Sequence, residues 1–198
     1  LEERLFRQLD ELVYARLPAG GDRDINRYNR GSLADPERWS PNWNRTFVFP
    51  AESPRAAVLL LHGLSDSPYS LRSLGEHLHS AGAYVIGLRV PGHGTAPSGL
   101  VEVTWRDMAA AVRLAMRHLS QLGGALPIHL VGYSNGGALS VQYVLSTLDD
   151  ESLPRVERVV LLSPEIGVTK AAAFAVWQAR LCHLLGLEKL AWNEILPE

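Results

Sequence analysis

Gly132-Tyr133-Ser134-Asn135-Gly136 sets a serine between glycines two residues to either side. A serine hydroxyl becomes a nucleophile when it is exposed on a sharp turn and a base can take its proton. Glycines at those two positions let an incoming strand and an outgoing helix pass closely enough to make such a turn. The pattern alone is weak, because glycine and serine are common in this chain. Its context strengthens it: residues 128–131 are an apolar run of strand length, and Gly136, Gly137 and Ala138 open a helix with small side chains. The plain alternative is a glycine-rich strand–helix turn in which Ser134 only caps the helix.

Acyl transfer also needs two preorganised N–H donors for the oxyanion. Asn135, directly after the serine, supplies one backbone N–H. Leu64 is the expected second donor, in His62-Gly63-Leu64 at the end of the apolar run Ala56–Leu61. Gly63 lets the backbone turn that N–H toward the site. His62 has two readings, a catalytic base or a brace of this turn. A nucleophilic serine on such a strand–helix turn is followed in the chain by the acid and then the histidine, which favours the brace.

A base and an acid are harder to place. His183 is the one histidine after Ser134, and it falls in a helical pattern with Leu184 and Leu185. Glu165 follows the strand-like run 156–162 and is a candidate acid, while Asp149, Asp150 and Glu151 read as solvated surface at a helix end. Pro91-Gly92-His93-Gly94 makes a tight turn suited to bracing the oxyanion loop or a cap. His77, His79, His118 and His129 have no flanking acids at metal-ligand spacing. No metal site and no other cofactor is expected.

Those residues need a scaffold. From residue 55, strand-like and helical patterns alternate. The strand-like runs are Ala56–Leu61, 84–90, 128–131 and 156–162. Leu71, Leu74, Leu78 and Ala81 mark the first helix between them. Trp105, Met108, Ala109, Val112, Ala115, Met116 and Leu119 mark the second, and residues 135–148 the third. This predicts right-handed crossovers in a mostly parallel sheet. Strands without polar alternation fit a sheet covered on both faces. Ahead of it, residues 1–17 read as an amphipathic helix with Leu5, Leu9, Leu12 and Val13 on its apolar side. Residues 18–46 read as a long loop anchored by Trp39 and Trp43, and Thr46 to Phe49 as a short strand. Behind it, Phe174, Trp177, Leu181, Leu184 and Leu185 form an apolar helix stripe.

Leu-Leu-Leu-His-Gly-Leu at 59–64, Arg-Val-Pro-Gly-His-Gly-Thr at 89–95 and Gly-Tyr-Ser-Asn-Gly-Gly at 132–137 together resemble the α/β-hydrolase superfamily. The resemblance is to its monoacylglycerol lipase, carboxylesterase and serine aminopeptidase-like branch, and it spans about residues 55–164. It implies an α/β-hydrolase fold with helices on both faces of the sheet. It further implies a core at 55–164 and the start of a helical cap at 165–198, and residues 1–54, which it does not cover, are expected to form an N-terminal helix and loop extension. The implied activity is hydrolysis of carboxylic esters through an acyl-enzyme on Ser134, with a small-molecule acyl ester as substrate. An aminopeptidase-like amidase and a non-catalytic interaction domain are the alternatives. The resemblance places the acid and the histidine after later strands. The expectation is therefore the N-terminal portion of a longer hydrolase, nearly inactive as these 198 residues alone.

Composition narrows the rest. The 198 residues hold one domain with a core and leave little room for two. Nineteen basic and 21 acidic residues give a net charge of −2, which offers no basic surface to nucleic acid. No apolar run approaches the roughly 18 residues of a membrane helix, and association with a membrane surface stays open. Cys182 stands alone, so there is no internal disulfide and no thiolate metal site. A lone cysteine fits a reducing compartment, the cytoplasm first, and leaves an upstream signal or anchor open. The apolar stripe of the cap offers a surface for self-association.

Overall fold

The computed structural model describes residues 2–16, 29–40, 42–95, 97–101, 103–123 and 125–167. Its five described strands are β1 Phe47–Phe49, β2 Ala56–Leu61, β3 Ala83–Leu88, β4 Ile128–Tyr133 and β5 Arg158–Leu162. They form one sheet in the order β1-β3-β2-β4-β5. β1 is antiparallel to β3, and every other neighbouring pair is parallel. The helices are α1 Glu2–Leu12, α2 Arg72–Ser80, α3 Trp105–Ser120 and α4 Asn135–Asp149. The chain divides into two compact units, 1–164 and 165–198. The first holds the sheet; in the second, residues 165–167 are exposed and without regular structure.

β2 lies at the centre of the sheet, and five of its six residues are buried. Its side chains alternate between two cores. Leu59 and Leu61 join Leu130, Val112, Met116 and Tyr143 under α3 and α4. Val58 and Leu60 join Val85, Val131 and Leu71 on the opposite face, beside β1 and α2. This is the physical reason the strand lacks polar alternation: neither face meets water. α3 begins with a capping box, in which Asp107 Oδ2 accepts from the Thr104 N–H at 2.8 Å. The Thr104 hydrogen bonds hold the Asp107 carboxyl below the usual carboxylate range.

Several sequence expectations shift at element ends. Trp105 is 54% exposed at the first position of α3, whereas the other six predicted stripe residues are buried. Leu74 and Leu12 are exposed, and Phe6, not Leu12, is the residue α1 buries. The strand expected at 84–90 spans Ala83–Leu88, because Pro91 and the following turn take over the chain. β5 departs further from the covered-sheet expectation: every one of its residues is exposed, apolar Val160 at 45% included.

Candidate active site

Ser134 joins the end of β4 to the start of α4 with φ 51° and ψ −117°. A non-glycine residue at positive φ carries about 1–3 kcal/mol of strain and persists only where its surroundings over-determine it. Here they do. The Ser134 N–H donates to the Leu162 carbonyl of β5 at 3.0 Å, and the Ser134 carbonyl accepts from Gly137 and Ala138 at 2.9 and 3.3 Å. The side chain takes no part in capping α4, so the plain capping-serine alternative does not describe this turn.

The glycines act by removing obstacles. A Cβ on Gly132 would overlap the Gly136 backbone, and one on Gly136 would overlap the Leu61 carbonyl. Strand and helix therefore cross as closely as the motif requires. A Cβ on Gly63 would stand 3.4 Å from the Ser134 Cβ and 3.2 Å from the Tyr133 ring. The loop after β2 is thus brought directly against the serine. Asn135, the first residue of α4, has a backbone N–H without an intrahelical acceptor. Its side chain lies 3.8 Å from the Met108 sulfur.

His62 governs the loop between them. The Val90 N–H donates to its Nε2 at 3.1 Å, so that nitrogen carries no proton. Nδ1 must then be the protonated nitrogen, and it donates to the Gly63 carbonyl at 2.8 Å. The Gly63 carbonyl and the Leu64 N–H belong to one planar peptide, so the ring fixes the plane of the donor expected at Leu64. His62 is 1% exposed. Burial first, and the neighbouring His93 and Arg89, outweigh the Gly63 and Asp66 interactions and push its pKa down to about 4. Both ring nitrogens are committed, which suits the brace and leaves none to serve as a base. His93 stands edge-on to it at 5.0 Å, with Nδ1 3.0 Å from the Pro91 carbonyl.

Among the described residues no histidine hydrogen-bonds Ser134. Glu165 is exposed beyond β5. His183 and the stripe from Phe174 to Leu185 lie outside the described residues. Trp39 stacks on Trp43 at 5.0 Å and Trp43 lies 4.8 Å from Tyr69, so the tryptophans anchor their loop to the segment that follows Leu64. Among the described residues one cleft beside the N-terminal segment is lined by Phe6, Asp35 and Asn44, and another by Leu5, Thr46 and Arg89. Among the described residues no cluster of three or more His, Cys, Asp or Glu could hold a metal ion, and no helix is long and apolar enough to cross a membrane. Sequence reading gave no role to Arg89, whose contacts reach residues far away in the chain.

A family model described as serine aminopeptidase, S33 (Hydrolase_4) matches residues 52–194. Over 93 residues the chain is 36% identical to a thermostable monoacylglycerol lipase of Bacillus sp. strain H-257, covering 47% of this chain and 36% of that protein. A solved structure of the metagenome-derived lipolytic enzymes LipS and LipT aligns with a TM-score of 0.57 at 24% identity, covering 78% of this chain and 54% of that one. The monoacylglycerol lipase of Paleococcus ferrophilus aligns with a TM-score of 0.55 at 24% identity, covering 69% and 49%. The chain spans about half the length of these solved relatives and 36% of the curated one.

Proposed function

The chain belongs to the serine aminopeptidase S33 family of α/β-hydrolases, and from that premise we propose that it cleaves carboxylic esters through an acyl-enzyme on Ser134. Ser134 Oγ attacks the ester carbonyl, and the backbone N–H groups of Leu64 and Asn135 hold the oxyanion. The alkoxide leaves as the alcohol after protonation, and water then releases the acid. The observation that carries this reading is the strained, uncapped serine with Gly63 packed against it. The proton of Ser134 requires a base, which the superfamily resemblance assigns to a histidine after the last strand.

An acyl substrate fits the apolar stripe from Phe174 to Leu185 and the likeness to a monoacylglycerol lipase. The family description itself favours a second reading, cleavage of an N-terminal amide. Turnover of short-chain p-nitrophenyl esters against aminoacyl p-nitroanilides by the full-length protein separates the two. The ester reading expects ester turnover that disappears in Ser134→Ala; anilide turnover without esterase activity would replace it with the amidase reading. In residues 1–198 alone, His183 is the sole histidine after Ser134. We expect that chain to retain only the residual catalysis of an oxyanion hole without a base, about 10³–10⁴ over water. A robust rate lost in His183→Ala would show that His183 is the base.

A further inference from the structure

We propose that residues 2–16 and 42–49, which the family model leaves unmatched, form a positioning element for the oxyanion loop. It acts through Glu2 and Arg89. The inference rests on the reading of Leu64 as an oxyanion donor and adds to it what holds that donor still.

A continuous set of bonds makes the link. Glu2 Oε1 accepts from Arg89 Nε at 2.9 Å and from the Thr46 N–H at 2.9 Å. Thr46 Oγ1 accepts from the Arg89 N–H at 3.0 Å. Arg89 Nη1 donates to the His93 carbonyl at 2.9 Å. The guanidinium therefore ties α1 to the turn at 90–94. Packing makes the same connection independently. Gly94 has φ +64°, and a Cβ there would meet the Asn44 Cβ and carbonyl, both at 2.8 Å. The turn thus rests on N-terminal backbone without clearance. Phe6, 3% exposed, lies under the Arg45 and Arg89 guanidinium carbons at 4.5 and 5.6 Å.

From that turn the link runs inward. Val90 fixes His62, and His62 fixes the Gly63–Leu64 peptide. The Arg89 side chain is only 11% exposed, so its charge-assisted bond to Glu2 is stronger than a surface pair. With an amide in place of the Glu2 carboxylate, Arg89 Nε and the Thr46 N–H share a neutral acceptor and the charge-assisted bond is lost. The turn loosens, and with it the peptide that presents Leu64. An oxyanion donor acts on charge that develops in the transition state, so the loss falls on kcat and spares KM. Glu2 and Arg89 are thus positioning residues, remote from the reacting atoms.

The test uses the full-length protein and p-nitrophenyl butyrate. Glu2→Gln and Arg89→Lys are compared with Glu3→Gln, which removes the same charge from an exposed neighbour. Affinity for an alkyl trifluoromethyl ketone, whose adduct places an oxyanion in the hole, is measured alongside. Glu2→Gln and Arg89→Lys should each lower kcat about tenfold with little change in KM, less than the roughly hundredfold cost of a 1 Å misplacement. The ketone should weaken by the same factor, while Glu3→Gln behaves as wild type. Wild-type kcat and ketone affinity in folded Glu2→Gln and Arg89→Lys would overturn the inference, as would an equal loss in Glu3→Gln. Mass mapping of the ketone-protectable fluorophosphonate adduct in the wild type separates the two levels. Absence of an adduct on Ser134 overturns the hydrolase reading itself, whereas an adduct on Ser134 with unaffected variants overturns only the clamp.

Discussion

Ser134 and His62 divide the work of the site between strain and bracing. The serine is held at φ 51° by bonds to Leu162, Gly137 and Ala138. His62 is held neutral, with its pKa pushed down from 6.5 to about 4 chiefly by burial. The sign of its pH effect follows. Between pH 6.5 and 4 the unfolded chain binds a proton that the native ring refuses. The contribution of His62 to stability is therefore complete above 6.5 and declines as pH falls toward 4, by about 3 kcal/mol in all. Urea unfolding between pH 7 and 4.5 should show this decline in wild type and a shallower one in His62→Gln; parallel declines would mean the ring is not neutral in the fold. The sharp turn at Ser134 and the approach of the Gly63 loop to it were legible because motif spacing is local. The tautomer of His62 was not, since it is set by Val90, 28 residues away, and Arg89 was invisible for the same reason.

At the level of elements, hydrophobic runs predicted β2 to the residue and placed β4 and α4 within a residue or two of their ends. What the runs could not tell is which apolar residues face inward at an element's margin. Trp105 and Leu12 sit at helix ends and are 54% and 58% exposed. The face of α1 is chosen by Phe6 beneath two arginines, a nonlocal contact. The same contrast gives a measurable difference within α3. Met116→Ala should cost about 2–5 kcal/mol by urea melt, as for a fully buried residue. Leu114→Ala, at a position 67% exposed, should stay within about 0.5 kcal/mol. Equal costs would place the buried face of α3 elsewhere. Gly136→Ala must push α4 off the Leu61 carbonyl, at about 1–3 kcal/mol. It should also remove fluorophosphonate reactivity at Ser134 while far-UV circular dichroism stays near wild type.

Across the whole molecule, two cores lie on opposite faces of one sheet, and β2 contributes to both. The fold class follows from the alternation of strand and helix, and the structural likeness to lipolytic enzymes agrees with it. The exposure of β5 had no sequence signal, because an apolar run looks the same at a sheet's edge as at its centre. Among the described residues β5 is the last strand of the sheet and Val160 and Leu161 on it are exposed, a surface prone to pair with another copy. Light scattering on residues 1–198 should show concentration-dependent association that Val160→Lys reduces; a monomer at all concentrations would show the edge to be harmless. Covalent labelling tests Ser134 as the nucleophile. The full-length protein is treated with a fluorophosphonate and the adduct is mapped by peptide mass. The expected result is a single adduct on Ser134, lost together with ester turnover in Ser134→Ala. An adduct on another residue, or turnover unchanged in that variant, would contradict it.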